Sequence, residues 1–234
     1  MKIKYIDHSG FVVESADCAI MIDCCGLTKD SPHVREYDGK RLYILASHAH
    51  GDHFDPAILS FGGDKRKWIL SDDITGSSAK GAAALDTVFL AKGAVYRDQW
   101  LMVKAFGSTD AGISFYIECG GKKIFHAGDL NNWHWNEEET PEDAAKNERW
   151  FLDELAEVAK EIPALDAAMF PVDPRLGKDY MRGAGQFLDA IKVGLFIPMH
   201  FAHNVQAAVA FKPEAQRRGS RFAAISSCGD VFEV

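Results

Sequence analysis

Ser47-His48-Ala49-His50-Gly51-Asp52-His53 follows the apolar, β-prone run Arg41-Leu42-Tyr43-Ile44-Leu45-Ala46 and packs three imidazoles and a carboxylate into six residues. A strand that ends in such a cluster delivers nitrogen and oxygen donors to the rim of a sheet, where a divalent cation can be held. His48 and His50 are two apart, so in extended backbone they point to the same side. The cluster holds three of the nine histidines of the chain, a concentration that an ordinary polar loop does not require. We read it as a metal site.

Outward from this stretch, the first half reads as strands. Residues 2–6, 11–14 and 18–23 form a meander joined by short turns, with Asp23 closing an apolar run. Short β-prone runs follow at 67–70, 87–90, 100–106, 112–118 and 122–126, and Gly120-Gly121 makes a hairpin turn between the last two. The character then changes. Thr140 and Pro141 supply an N-cap and a first-turn proline for a helix over 142–162. Its apolar residues Trp150, Leu152, Leu155, Val158, Ala159 and Ile162 recur at helical spacing. A strand at 167–170, a helix over 180–193, a strand at 195–199, a helix over 205–216 and two closing strands complete the order. Meanders with helices added outside them suit two facing sheets flanked by helices.

The 234 residues are 47% hydrophobic, enough for a substantial core, and no Gly/Ser-rich or Pro-rich linker divides them. Residues 1–234 therefore read as a single domain. A net charge of −8 argues against an extended nucleic-acid or anionic-membrane surface. A small anionic substrate stays compatible, because cations in a cleft override the average charge. The N-terminus reads as a strand rather than a signal peptide, and no run is long enough to span a bilayer. Five cysteines without metal-type spacing fit reduced thiols, and hence a cytoplasmic setting.

The His-x-His-x-Asp-His pattern after a hydrophobic strand resembles the signature of the metallo-β-lactamase superfamily of metal-dependent hydrolases. The resemblance implies an α+β fold, a four-layer αββα sandwich, with two metal positions at one edge between the sheet ends. It implies His48 and His50 on the first metal and Asp52 and His53 on the second. Lys122-Lys123-Ile124-Phe125-His126-Ala127-Gly128-Asp129 is similar to the family's Gly-Asp strand end, whose carboxylate bridges the metals. A two-oxygen anion can span cations ~3.5–4 Å apart and offset their repulsion. His126, earlier on the same strand, reads as a packing or supporting histidine. Leu195-Phe196-Ile197-Pro198-Met199-His200-Phe201 resembles the late histidine strand and implies His200 on the second metal.

One family ligand is missing. The position of the usual histidine in Gly107-Ser108-Thr109-Asp110-Ala111-Gly112 is Thr109, a poor zinc ligand. Asp110 supplies an oxygen instead if the loop is shifted; otherwise residues 108–110 are a polar turn. Two Zn²⁺ ions are implied, and a carboxylate in place of an imidazole makes Mn²⁺ or Fe²⁺ more competitive. Pro198-Met199-His200 and Asp7-His8-Ser9-Gly10-Phe11 resemble the ascorbate-6-phosphate-lactonase-like branch, although Asp7 stands where that branch has glycine. His8 then either approaches the cleft from the first hairpin or caps a turn.

The resemblance implies a binuclear metal-dependent hydrolase, with a metal-bound hydroxide attacking a small ester, lactone or phosphoester. Asp52 would act as proton acceptor or orienter as well as ligand. His134, in Leu130-Asn131-Asn132-Trp133-His134-Trp135, or His203 would protonate the leaving group, beside a wall formed by the two tryptophans. Arg175, in Phe170-Pro171-Val172-Asp173-Pro174-Arg175, would clamp a carboxylate or phosphate, or else pair with Asp173. The alternatives are an iron-dependent oxidoreductase on the same fold and a non-catalytic member with a degenerate first metal site. The expected partner is a small molecule, with no nucleic acid and no membrane.

Overall fold

The computed structural model describes residues 1–75, 80–82 and 85–234. In chain order its strands are β1 (Lys2–Asp7), β2 (Gly10–Glu14), β3 (Cys18–Ile22), β4 (Arg41–Ala46), β5 (Arg66–Ser71), β6 (Thr87–Leu90) and β7 (Val95–Arg97). They continue as β8 (Leu101–Phe106), β9 (Ser114–Cys119), β10 (Lys122–His126), β11 (Ala164–Pro171), β12 (Lys192–Met199), β13 (Arg221–Phe222) and β14 (Val231–Glu233). The helices are α1 (Pro32–Arg35), α2 (Pro141–Glu161), α3 (Arg182–Ala190), α4 (Val205–Ala210) and α5 (Lys212–Arg217).

Among the described residues these strands form two seven-stranded sheets, β14-β1-β2-β3-β4-β5-β6 and β13-β12-β11-β10-β9-β8-β7. Each sheet is antiparallel on one side and parallel from its middle outward, from β3 to β6 and from β10 to β13. Parallel pairing aligns carboxyl ends: Ile22 lies beside Leu45, His126 beside Met169 and Pro171 beside Met199. The segments that follow these strands therefore leave from one edge of the molecule, which is how motifs far apart in sequence meet.

The packing explains why β3 and β4 are apolar throughout. Cys18, Ile20 and Ile22 face the inter-sheet core with Tyr43 and Leu45, while Ala19, Met21, Leu42, Ile44 and Ala46 face an outer cluster. A strand covered on both faces needs no polar alternation. The outer layers differ. The second sheet is covered by helices, with Phe151, Leu155 and Val158 of α2 and Phe187 of α3 in its core, and the Phe187 ring stacks on Phe170 at 4.5 Å. The first sheet is covered by α1, a 3₁₀ turn at Pro56–Ser60 and loop side chains such as Tyr37, Phe54 and Phe61. The result is the αββα sandwich, with one thin outer layer.

Local rules place the helix ends. Thr140 Oγ1 accepts the Asp143 N–H at 3.2 Å, with proline in the first turn of α2. Trp150 and Leu152, expected on the buried stripe, are 46% and 41% exposed, because the stripe runs through Ala144, Phe151, Leu155 and Val158. The helix expected over 205–216 is broken into α4 and α5. Pro213 has no N–H to donate and disfavours helical backbone just before it. The helix expected over 180–193 is shortened to α3, after a 3₁₀ turn at Pro174–Asp179. Strand β7 was not read from the sequence. Among the described residues no helix is long and apolar enough to cross a membrane.

Candidate metal centre

Seven chain segments converge at the shared edge: the β1–β2 turn with His8, Asp23 after β3, residues 47–53 after β4, Asp110 between β8 and β9, Asp129 after β10, Asp173 after β11 and His200 after β12. Asp129 stands at the centre. Its Oδ2 lies 3.3 Å from His48 Nε2, and its Oδ1 lies 3.1 Å from His53 Nε2 and 3.3 Å from His200 Nε2. His50 Nδ1 is 3.0 Å from His48 Nε2 and 3.8 Å from Asp110 Oδ2. On the other side Asp52 Oδ2 is 3.2 Å from His8 Nε2 and 3.8 Å from both His53 and His200 Nε2. Donor atoms of His8, Asp52, His53 and His200 lie within 4.8 Å of one another, as do those of His48, His53 and Asp129, and those of His50, Asp110 and Asp129.

This donor set fits divalent cations. His8 Nε2, His53 Nε2 and Asp129 Oδ1 are buried and have no hydrogen-bond partner among the described residues. Buried polar atoms are rarely left unpaired unless an ion or water is meant to sit between them. The imidazoles are also presented as ligands. His53 Nδ1 donates to Asp23 Oδ2 at 2.8 Å and His200 Nδ1 donates to Asp173 Oδ2 at 2.8 Å. His48 Nδ1 is 3.0 Å from Ser47 Oγ, whose hydroxyl donates to Asp23 Oδ2 at 2.6 Å. With the proton on Nδ1, the lone pair of each ring is at Nε2 and faces the centre.

Asp23 anchors this arrangement. It is fully buried and accepts the Ser47 N–H, the Ser47 hydroxyl and the His53 Nδ1–H. Burial pushes its pKa up, but the His53 hydrogen bond, the His53 charge and the Ser47 hydrogen bond outweigh it and hold the carboxyl below the usual range. For His53, burial favours the neutral ring, yet Asp129 and Asp23 raise it to about 10 in the absence of a cation. His8, Asp23, Trp135 and His200 all adopt positive φ without being glycine, a cost that proteins concentrate at functional sites. His126 is not a ligand. Its Nε2–H donates to the Ser9 carbonyl at 2.8 Å and its Nδ1 accepts the Gly128 N–H at 3.1 Å, which fixes the Gly-Asp turn.

The loop at 107–112 shows where Thr109 and Asp110 stand at the position of the missing histidine. Gly112 has φ +65° and a Cβ there would stand 2.1 Å from the Ser47 carbonyl oxygen, so only glycine lets this loop close on the histidine motif. Thr109 donates its hydroxyl to the Asn131 carbonyl at 2.6 Å and accepts the Asn131 N–H at 2.9 Å. It is a stitch between loops, while Asp110 stands beside His50 and Asp129. Thr109→Val keeps the shape but leaves the buried Asn131 N–H unpaired and takes one of two donors from the Asn131 carbonyl, which keeps the Trp133 N–H at 3.1 Å. A loss of about 1–3 kcal/mol in urea unfolding is expected, and an unchanged midpoint would remove the stitch from the account.

A cleft of about 370 Å³ opens over the centre, lined by Asp52, Asp110, Trp133, Trp135, Arg175 and His200 among others. The two indoles stack at 6.2 Å and 15°, and Trp133 Nε1 donates to the Asp129 carbonyl at 2.8 Å. Arg175 lines the cleft and pairs with Asp173, through Nε at 3.0 Å and Nη2 at 2.5 Å, as the pairing reading of this residue expects. His134 is a correction. It is fully buried outside the cleft lining. Its Nε2–H donates to the Asp179 carbonyl at 3.3 Å and its Nδ1 accepts the Asn136 N–H at 3.1 Å. Both nitrogens are thus committed to the backbone, and burial keeps the ring neutral. His203 is exposed on the rim beside Asp7. The roles of Asp23 and Asp173 were missed: each closes an apolar strand, but nothing local says which histidine it will meet.

Residues 2–144 match the family profile described as a β-lactamase superfamily domain. Over 248 aligned residues, covering all of both chains, the sequence is 25% identical to a UPF0173 metal-dependent hydrolase of Symbiobacterium thermophilum. Among solved structures it resembles a metallo hydrolase from Ignicoccus hospitalis, with TM-score 0.68 and 18% identity over 100% of this chain and 98% of that one. It also resembles a diiron β-hydroxylase from Streptomyces venezuelae, with TM-score 0.69 and 12% identity over 100% of this chain and 54% of that one. At these identities the two structures speak for the fold alone.

Proposed function

This chain belongs to the β-lactamase superfamily, and from that premise we propose that it is a binuclear metal-dependent hydrolase. His48, His50, Asp110 and Asp129 would hold one cation; Asp52, His53, His200 and Asp129 would hold the other, with His8 as a further donor. The observation that carries this reading is Asp129, a buried carboxylate whose two oxygens face separate groups of imidazole nitrogens. Bound there, the cations supply Lewis acidity and bring the pKa of water towards about 7.

The side chains do the rest. The neighbouring His8 ring, its Nε2 3.2 Å from Asp52 Oδ2, holds Asp52 well below the usual carboxylate range despite partial burial. Asp52 is therefore a weak base, suited to orienting a water by accepting its hydrogen bond. Trp133 and Trp135 form a flat apolar wall that positions a substrate face and excludes water. Arg175, steadied by Asp173, has Nη1 outside that pair and available to an anionic group. A small ester, lactone or phosphoester fits these features. The lactonase-like branch stays part of the proposal on Pro198-Met199-His200 and the His8 segment. So do a single domain, a cytoplasmic setting supported by free thiols, and small-molecule rather than nucleic-acid or membrane partners.

The test is to strip the protein with a chelator, reload it with Zn²⁺, Mn²⁺ or Fe²⁺, and assay an aryl ester, a γ-lactone and an aryl phosphodiester. Hydrolysis of at least one, restored by reloading and lost in His48→Ala, is expected. No hydrolysis with any metal would sink the reading. Asp110 favours a second one: a carboxylate-rich first site suits iron, and an iron-dependent oxidation under air in place of hydrolysis would bring the oxidoreductase forward.

A further inference from the structure

We propose that Cys18 and Cys119 form a reversible disulfide on reaction with hydroperoxides, at the edge of the sandwich away from the metal centre. All five cysteines are free thiols. Cys18 opens β3, whose other end leads to Asp23, and Cys119 closes β9, whose other end lies beside Gly112. The two residues are 101 apart in sequence and belong to different sheets, yet their sulfurs are 3.4 Å apart in the inter-sheet core. Closing that gap to the ~2.05 Å of a disulfide needs side-chain rotation of little more than an ångström.

The pair is asymmetric in a way that suits the chemistry. Cys119 lines a groove of about 410 Å³ with Trp100, Leu101, Gly120 and Lys122, whereas Cys18 is fully buried behind it. With the Cys18 thiol as donor, the hydrogen bond between them lowers the Cys119 pKa in spite of burial. Cys24, Cys25 and Cys228 are all shifted up, chiefly by burial. The thiolate is the reactive form, and Cys119, the member of the pair that lines the groove, is the one a hydroperoxide reaches first.

The Cys119 thiolate attacks the terminal oxygen of a hydroperoxide. An S–O bond forms, the O–O bond breaks, and the departing oxygen takes up a proton to leave as an alcohol, or as water from hydrogen peroxide. The Cys18 sulfur then attacks the Cys119 sulfenic acid; the S–S bond forms, the S–O bond breaks, and hydroxide leaves with the Cys18 proton as water. Two thiols are oxidised by two electrons and one hydroperoxide is reduced. An external dithiol reverses the change. The cross-link joins β3 to β9 across the core and constrains a long loop of the unfolded chain.

The experiment uses reduced, zinc-loaded protein exposed to hydrogen peroxide, quenched by alkylation and mapped by mass spectrometry. Denaturing thiol titration is expected to fall from five per chain by two, with a Cys18–Cys119 linked peptide that dithiothreitol abolishes. The melting temperature of the oxidised form should rise on the order of 10 °C. Cys18→Ser should stop at one lost thiol and a Cys119 sulfenic acid that dimedone traps. Five persisting thiols in the wild type, oxidation confined to Cys24, Cys25 or Cys228, or a Cys119 sulfenic acid that never links to Cys18 would each overturn the proposal.

Discussion

Asp129→Ala, purified without chelator, is expected to fold but to lose its bound metal and at least ~10³-fold of any hydrolytic rate. The Asp129 side chain contacts imidazoles and, among the described residues, is not a partner of any backbone group, so its removal leaves the strand ends in place. It also relieves the metal-free protein of a buried carboxylate oxygen that finds no hydrogen-bond partner among the described residues. Removing the outer partner of a metal ligand typically costs about 10–100-fold in affinity, and removing a ligand shared by both groups must cost more. Chelation provides a second signature. A cation at about 1,000 times its Kd stabilises a native state by ~4 kcal/mol, which for a chain of this size is a melting shift of roughly 8–16 °C. Chelator should produce that fall in the wild type and none in Asp129→Ala. About two ions per wild-type chain support the binuclear reading; one ion or none in a folded wild type would defeat it. Iron found instead of zinc or manganese would favour the oxidoreductase.

Asp23→Asn is expected to damage the centre without altering a ligand. The native carboxylate accepts three hydrogen bonds, from the Ser47 N–H, the Ser47 hydroxyl and His53 Nδ1. An amide accepts through one atom and offers an NH₂ group through the other. If that group faces His53, the ring moves its proton to Nε2 and points N–H, rather than a lone pair, at Asp129. We expect stability to fall by about 3–5 kcal/mol, the cost of breaking a buried charged pair, and metal affinity to fall about 10–100-fold. The pH dependence has a defined sign. Because the folded carboxyl is held below its usual value, its stabilisation is present above the ordinary Asp range and is lost as the pH falls through the folded value. The wild type should thus lose stability more steeply than Asp23→Asn on acidification. Parallel acid profiles, or wild-type metal affinity in the mutant, would dispose of the orienting role.

Much of the centre is legible because its chemistry is local. His48, His50, Asp52 and His53 share one strand end, so their delivery to a sheet edge follows from the local pattern; Asp129 and His200 each close an apolar run, but only the family resemblance singles them out from ordinary strand ends. Asp110 is harder, because Thr109 occupies the position where the family pattern expects a donor. Only the bonds of Thr109 to Asn131 show why the loop presents the next residue instead. His134 misleads for a related reason. It follows Asp129 closely and lies between two tryptophans that do line the cleft, but the loop turns its ring inward to Asp179 and Asn136.

By itself the sequence determined the histidine-rich strand end, the apolar β-prone runs that precede it, the capped helix α2 and the acidic balance, all of which depend on residue type and spacing within one segment. The tertiary structure alone decided that Asp23 orients His53, that Asp173 orients His200, that His8 joins Asp52, and that Cys18 meets Cys119. These pairings depend on which strands lie side by side and which sheet faces which. That choice is made by the cooperative burial of the whole core, and no local pattern records it.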